Sequence, residues 1–341
     1  MKNVEFGLDT FGGVTRDANG DHVPHPQVIR DLVDDAVLAD SVGVDFFGLG
    51  EHHRPDFAVS SPEMVLAAIA ARTERIRLGS AVTVLSSDDP VRVYERFATL
   101  DAVSNGRAEI VAGRGSFIES FPLFGYDLND YEVLFEEKLE LLAALLTEEP
   151  VTWQGTTRAG LQDQRVYPTT AAGMKAWVGV GGSPESVVRT ARYGFGLFLA
   201  IIGGPSERFS AYIDLFKRAQ DEFTVPHQPI AVHSPGLVAE TDEEARDLVR
   251  DGWFEMRKQM GRERGWPAPT PNDFDREIDG GALYVGSPET VARKIASTVE
   301  TLGVDRFDLK YDQPVQHDAH QQSIGLYGEK VVPMVRDMLA S

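Results

Sequence analysis

Short runs of β-branched and aromatic residues alternate eight times with helical patterns of ten or more residues, and that rhythm admits few folds. Strands that each lead into a helix pair in parallel and are covered by those helices. The runs lie at 4–9, 44–49, 76–84, 108–112, 176–180, 197–201, 230–238 and 306–310. The first helix spans Pro26 to Ser41, with Val28, Leu32, Ala36 and Ala39 on one face and Gly43 just past its end. Ser61 with Pro62, and Asp89 with Pro90, open the next two. Asp130 to Thr147 carries Val133, Leu134, Leu141, Leu142 and Leu145 at helical spacing. Helices from Pro184, from Pro205 to Glu222, from Asp242, from Pro288 to Leu302 and from Gln321 to Met338 complete the alternation. Two stretches interrupt it, 148–175 and 261–280, and both are expected to be irregular insertions. Eight strand–helix units close most economically into an α/β protein of the (β/α)8 TIM barrel type, a single domain over 1–341 with two insertions.

An open, doubly wound sheet is the other arrangement of such units. The sequence lacks its dinucleotide signature: after Gly48-Leu49-Gly50, Gly113-Arg114-Gly115 and Gly179-Val180-Gly181, the third glycine of G-x-G-x-x-G is replaced by His53, Ile118 and Pro184. Walker, H-E-x-x-H and EF-hand spacings are also missing from the sequence. With 33 Lys+Arg against 53 Asp+Glu, the formal charge of -20 repels polyanions, so neither nucleic acid nor an anionic membrane surface is an expected partner. The chain has no cysteine, which removes disulfides, thiolate metal sites and a thiol nucleophile together and fits a reducing cytoplasm. The opening MKNVEFGLDTFGG is too polar for a signal peptide's apolar region, and the densest apolar stretch, Met64 to Ala71, is too short to span a bilayer. A cytoplasmic location is the expectation.

In a barrel of this kind, chemistry sits just beyond the C-terminal ends of the strands. Glu51-His52-His53-Arg54 follows the second strand. A histidine there can act as acid or base near neutral pH with Glu51 orienting its ring, or the pair can be hydrogen-bonded structural histidines, or they can be metal ligands. Ser80 to Leu85 follows the third strand, small and then apolar, as a flat wall for a planar ligand or as plain core. Gly113-Arg114-Gly115-Ser116-Phe117 follows the fourth, where glycines allow close backbone approach and Arg114 offers a forked cation. Gly179-Val180-Gly181-Gly182-Ser183-Pro184-Glu185-Ser186 follows the fifth, bringing N–H groups, a hydroxyl and a helix N-terminus together as a phosphate site does. A near echo, Val285-Gly286-Ser287-Pro288-Glu289-Thr290, precedes the last strand's helix, and both segments also read as ordinary serine helix caps.

Taken in order along the chain, these motifs resemble the bacterial luciferase-like, flavin-dependent monooxygenase family. The resemblance is carried by Gly50-Glu51-His52-His53, Gly79 to Leu85, Asp89-Pro90-Val91-Arg92, Leu100-Asp101, Ser104-Asn105-Gly106-Arg107, Gly113-Arg114-Gly115, Phe124-Gly125, the two Gly-Ser-Pro-Glu segments and Val332-Pro333. It implies a luciferase-like barrel that binds reduced FMN at its C-terminal face and uses dioxygen, through a C4a-hydroperoxyflavin, on a small-molecule substrate. It also implies a separate flavin reductase, which suits the missing dinucleotide motif. A non-prolyl cis peptide at Ala81–Val82 would support the flavin ring. Arg114, Gly182, Ser183 and Ser186 would hold the phosphate, with Val180 and Gly181 beside the ribityl chain and Glu51 also at the cofactor. His52 matches the active-site histidine, and no resident metal is implied. A homodimer is the family expectation, and the helix from Pro62, apolar on nearly every side, suits burial between subunits. The stretch 261–280 stands where the luciferase catalytic subunit has its own mobile loop, which argues against light emission and points to a cover over a different substrate. Three alternatives accompany this reading: an F420-dependent oxidoreductase of the same fold, a flavin-binding protein without turnover, and a metal-dependent barrel hydrolase with His52 and His53 as ligands.

Overall fold

The computed structural model describes residues 4–17, 19–115, 117–265 and 267–340. Eight parallel strands close into a barrel: β1 (Glu5–Thr10), β2 (Phe46–Leu49), β3 (Arg77–Ser80), β4 (Ala108–Gly113), β5 (Lys175–Val180), β6 (Gly196–Ala200), β7 (Ile230–Val238) and β8 (Arg306–Lys310). Each pairs with the next, and β8 returns to β1 with Glu5 opposite Arg306 and Asp9 opposite Lys310. Helices α1 (His25–Ser41), α2 (Pro62–Ala70), α3 (Pro90–Ser104), α4 (Tyr131–Leu145), α5 (Pro184–Arg192), α6 (Ser210–Phe223), α7 (Asp242–Arg264) and α8 (Pro288–Leu302) lie along the chain between and after these strands.

Side chains alternate across each strand, so one parity faces the helices and the other the barrel's interior. The outward set, including Leu8, Phe47, Leu78, Ile110, Val178, Leu199, Val232 and Leu309, is buried in the main apolar core. Val111, Trp177, Phe198 and Ala231 fill the middle of the barrel. Below them the inward positions are charged: Arg306 donates to Glu109 from Nη1 (2.8 Å) and Nη2 (2.9 Å) and from Nε to Glu5 (2.8 Å), while Trp177 Nε1 donates to Glu109 (2.9 Å). Arg77 also bonds Glu109, and the Arg306 guanidinium lies over the rings of Phe46 (4.3 Å) and Trp177 (4.9 Å).

Proline at the first helical turn and an oxygen at the cap explain where several helices begin. Asp89 accepts the Val91 N–H (2.9 Å) to start α3, Ser183 the Ser186 N–H (3.3 Å) to start α5, and Ser287 the Thr290 N–H (3.4 Å) to start α8.

Four segments depart from the sequence reading. The third run does not stay a strand over 76–84; β3 stops at Ser80, and Thr83–Val84 pairs separately with Ala112 and Gly113. The first insertion holds an antiparallel hairpin, Val151–Trp153 with Leu161–Gln164. Its turn is tied not to itself but to Glu137 on α4, which accepts the N–H and hydroxyl of both Thr156 and Thr157 at 2.7–2.9 Å. The second insertion is mostly helical: α7 runs on to Arg264, and a further helix, Pro271–Asp279, opens with a Thr270/Asp273 capping box. Behind it Tyr284–Gly286 adds a short strand to the C-terminal end of β7. Leu237, Val249, Trp253, Phe274, Ile278, Leu283 and Val285 form a separate apolar cluster there, on the side of the strands' C-terminal ends. The terminal helix is interrupted by a π-helical turn, Tyr327–Val331, where Gly328 lies so close to Val42 that a Cβ would fall 2.3 Å from its Cγ2.

Candidate active site

The C-terminal ends of the strands form a mouth whose floor is shaped by missing side chains. The peptide Ala81–Val82 is cis, in the position expected from the sequence. Val82 leans across the mouth: a Cβ on Gly113 would fall 2.5 Å from its Cγ2, and one on Gly179 2.7 Å from its Cγ1. A Cβ on Gly48 would fall 2.9 Å from that of Ala81, so any larger residue at these three positions would displace the shelf.

Glu51 ties the shelf down. Its N–H donates to the Val82 carbonyl (3.2 Å), and its Oε2 accepts the Val84 N–H (2.8 Å). Its other oxygen takes His53 Nε2 at 2.9 Å, so of the two histidines the sequence offers it is His53 that Glu51 orients. Consecutive residues leaving a strand point to different sides, which is why the two rings part. That hydrogen bond raises the His53 pKa above its usual 6.5, against burial, with Glu51, Glu119 and Asp88 adding attraction. A raised value stabilises the folded state fully below about pH 6.5 and fades as pH climbs past the folded value. The wild type is therefore expected to lose Tm as pH rises above about 6.5, and His53→Gln to flatten that fall; an unchanged slope would remove His53 from the shelf's support.

His52 is buried in an aromatic cage, its ring stacked on Phe57 (4.4 Å) and edge-on to Phe11 (4.7 Å) and Phe117 (5.1 Å). A charged neighbour is Glu119, with its Oε1 3.6 Å from Nδ1. Burial would raise the Glu119 carboxyl, but the interaction with His52 and backbone N–H groups outweighs it and holds the group below its ordinary range. The loop after β1 is fixed by Asp312, which accepts the Phe11 N–H (2.9 Å), the Thr10 hydroxyl and the Lys310 ammonium, and Lys310 lies 3.9 Å over the Phe11 ring.

Two strands away, Arg114 is partly exposed, donates to Glu132 (2.6 Å) and covers the Tyr131 ring at 5.3 Å. Ser183 caps α5 and donates to Glu185 (2.8 Å); Glu185 in turn feels Arg114 and Arg189. Ser186, one turn in, is buried with a hydroxyl oxygen that has no partner. Gly181 is open, and the Gly182 carbonyl accepts from Tyr212 (2.8 Å). Val180 packs into the outer core, so only its main chain can reach the mouth. Ser116 lies outside the described residues. The echo at Ser287 is engaged structurally, its N–H and the Thr290 hydroxyl both bonded to Asp242.

One pair was not anticipated from the sequence. Asp9 on β1 and His233 on β7 are buried and meet at 2.9 Å between Oδ2 and Nδ1. Both sit at inward positions of their strands, and charged residues sharing the parity of Gly7 and Glu5 were the available signal.

Among the described residues no group of three or more His, Asp or Glu side chains is arranged to hold a metal ion, and no helix is long and apolar enough to cross a membrane. The sequence model of the family described as luciferase-like monooxygenase matches residues 10–306. Limonene 1,2-monooxygenase of Rhodococcus erythropolis is 30% identical, over 86% of this chain and 78% of that protein. The oxygenating constituent of 3,6-diketocamphane monooxygenase from Pseudomonas putida, solved with FMN, superposes with a TM-score of 0.79 at 20% identity, covering 97% of this chain and 98% of that one. An F420-dependent secondary alcohol dehydrogenase, solved with an F420-acetone adduct, superposes at 0.75 with 17% identity, covering 99% of this chain and 100% of that one.

Proposed function

Since the chain belongs to the luciferase-like monooxygenase family, we propose that it is a flavin-dependent monooxygenase taking reduced FMN, delivered by a separate reductase, and dioxygen to a small organic substrate. The observation that carries this is the arrangement of the mouth: a shelf kept clear by glycines, a caged histidine beside it, and an arginine with a serine-capped helix N-terminus across β4 and β5. The residues fit FMN on their own chemistry. The unpartnered Ser186 hydroxyl, the Thr83 hydroxyl that is likewise buried without a partner, and the open Gly181 leave donors and room unused.

Bound reduced flavin supplies the electrons that activate dioxygen. Ala81 and Val82 support its ring, and Glu51 keeps that support in place. Arg114, Gly182, Ser183 and Ser186, with the first N–H groups of α5, receive the phosphate, while the main chain at Val180 and Gly181 runs beside the ribityl chain. Arg114 would exchange Glu132 for a phosphate at little cost, because ion pairs this exposed contribute little. His52 holds and moves a proton at its ring nitrogens, and Phe11, Phe57 and Phe117 exclude water around it. A cytoplasmic homodimer, one domain per chain, completes the proposal.

Hydride transfer with F420 is the second reading, favoured by the F420-dependent neighbour; the Glu51-His52-His53 motif favours FMN. Anaerobic titration with reduced FMN and with reduced F420, followed by air, separates them. Saturable FMN binding is expected, with an absorbance transient on admitting air that free reduced flavin does not give. Arg114→Ala should weaken FMN by about 10- to 100-fold and leave riboflavin unchanged, as loss of a charged hydrogen bond to phosphate does. A preference for F420, or equal losses of FMN and riboflavin, would overturn the assignment.

A further inference from the structure

With β3 to β5 assigned to the flavin, the opposite wall of the mouth is left for the substrate, and its role rests on that assignment. In a closed ring of eight, β7 stands across from β3 and β1 across from β5. That wall is apolar in Phe11 and Phe198, with Ile202 exposed just beyond β6. Its charged residues near the mouth are Lys310, Asp312, Asp9 and His233. Lys310 and Asp312 satisfy each other, with Thr10 and the Phe11 N–H completing Asp312.

Asp9 and His233 are not satisfied in that way. Oδ2 of Asp9 takes His233 Nδ1 at 2.9 Å, whereas Oδ1 is buried without a partner. The His233 ring meets Phe198 edge-on at 5.3 Å, and among the described residues its Nε2 makes no hydrogen bond. The pair adjoins the shelf, because a Cβ on Gly48 would fall 2.9 Å from that of Ala81 and 3.2 Å from that of Asp9. A carboxylate can only accept, so it fixes the proton on Nδ1 and leaves the lone pair of Nε2 to accept from a ligand.

We propose that His233, oriented by Asp9, determines specificity on the substrate side of the mouth by accepting a hydrogen bond from the hydroxyl of an otherwise apolar substrate. An apolar wall holds the carbon skeleton, and the unfilled Nε2 of His233 reads the O–H. Such a site rejects the analogue that lacks the hydroxyl, because a buried acceptor would then lose its water without gaining a partner.

Phenol and toluene, alike in size and differing in the O–H, are suitable probes for the full chain without flavin. Phenol is expected to bind about tenfold tighter than toluene and to move the Nε2 nitrogen resonance of His233, which toluene leaves in place. Asp9→Asn and His233→Leu should bring the preference to about one while toluene affinity stays within about twofold. A preference that survives in His233→Leu, no preference in the wild type, or an unmoved Nε2 resonance would overturn the proposal. Where a variant fails to fold, the wild-type resonance decides alone. FMN titration of the same preparation tests the cofactor reading separately, so a failure there leaves the phenol result standing.

Discussion

Arg306→Met is expected to remove about 3–5 kcal/mol of folding stability, the cost of stranding a buried carboxylate, which is a large share of the roughly 5–15 kcal/mol that holds a domain folded. Arg306 and Glu109 are both fully buried, and the guanidinium makes two of the bonds that Glu109 accepts. Burial alone would raise the Glu109 carboxyl, but attraction and hydrogen bonding from Arg306, with help from Arg77 and Lys175, hold it down at about 2. The folded state therefore binds that proton less readily than the unfolded chain does. The stabilisation is full above about pH 4.5 and is lost as pH falls through about 2. Urea unfolding at pH 7 should show the loss with an unchanged slope, and the gap between wild type and variant should narrow from pH 5 towards pH 3. Replacing Glu109 by Met together with Arg306 should recover part of the stability, because the fully buried carboxylate is then removed and the charged groups that lose a hydrogen-bond partner, Glu5 and Arg77, are more exposed. A single variant as stable as the wild type, or a double variant worse than the sum of its parts, would refute the account.

His52→Ala is expected to lower substrate-dependent oxygen uptake, measured with a flavin reductase present, by about 10²-fold or more while FMN affinity stays within about twofold. The ring sits among Phe57, Phe11 and Phe117, and its charged neighbour Glu119 stands 3.6 Å from Nδ1, so its surroundings are built to control a proton and not to grip a phosphate. Glu119→Gln should have a smaller effect and shift the pH profile of turnover, since the carboxylate acts through the imidazole. Unchanged turnover in His52→Ala would remove the proposed role, and a parallel fall in FMN affinity would make the residue part of the binding surface instead.

The barrel was readable because each strand's outward parity carries mainly apolar side chains, and several helices carry proline at their starts behind a serine or aspartate. The cis peptide of the shelf was readable through the resemblance. What stayed hidden has definable causes. The hairpin over 151–164 has strands of three and four residues, and its turn is organised by Glu137 from another element, which no local pattern discloses. The helical second insertion lost its signal to Gly261, Gly265, Pro267 and Pro269, although α7 continues to Arg264. Which of the two histidines Glu51 orients stayed open, because adjacency in sequence says nothing about direction once a strand has ended. Glu119 lies beyond β4 in a stretch without period. Asp9 and His233 are 224 positions apart and meet only because closure of the barrel puts β8 alone between their strands.

The glycines at 48, 113 and 179 give the mouth an asymmetric evolutionary neighbourhood. A single base change in a glycine codon yields alanine, valine, aspartate or another larger residue, and each such step at these positions intrudes on Ala81 or Val82. Drift there can only narrow the chamber. New substrates must instead be accommodated by trimming the aromatic wall at Phe11, Phe57 and Phe117, or by remodelling the satellite cluster behind β7, whose core is separate from that of the barrel. Diversification of this chain is thereby channelled to one side of its mouth.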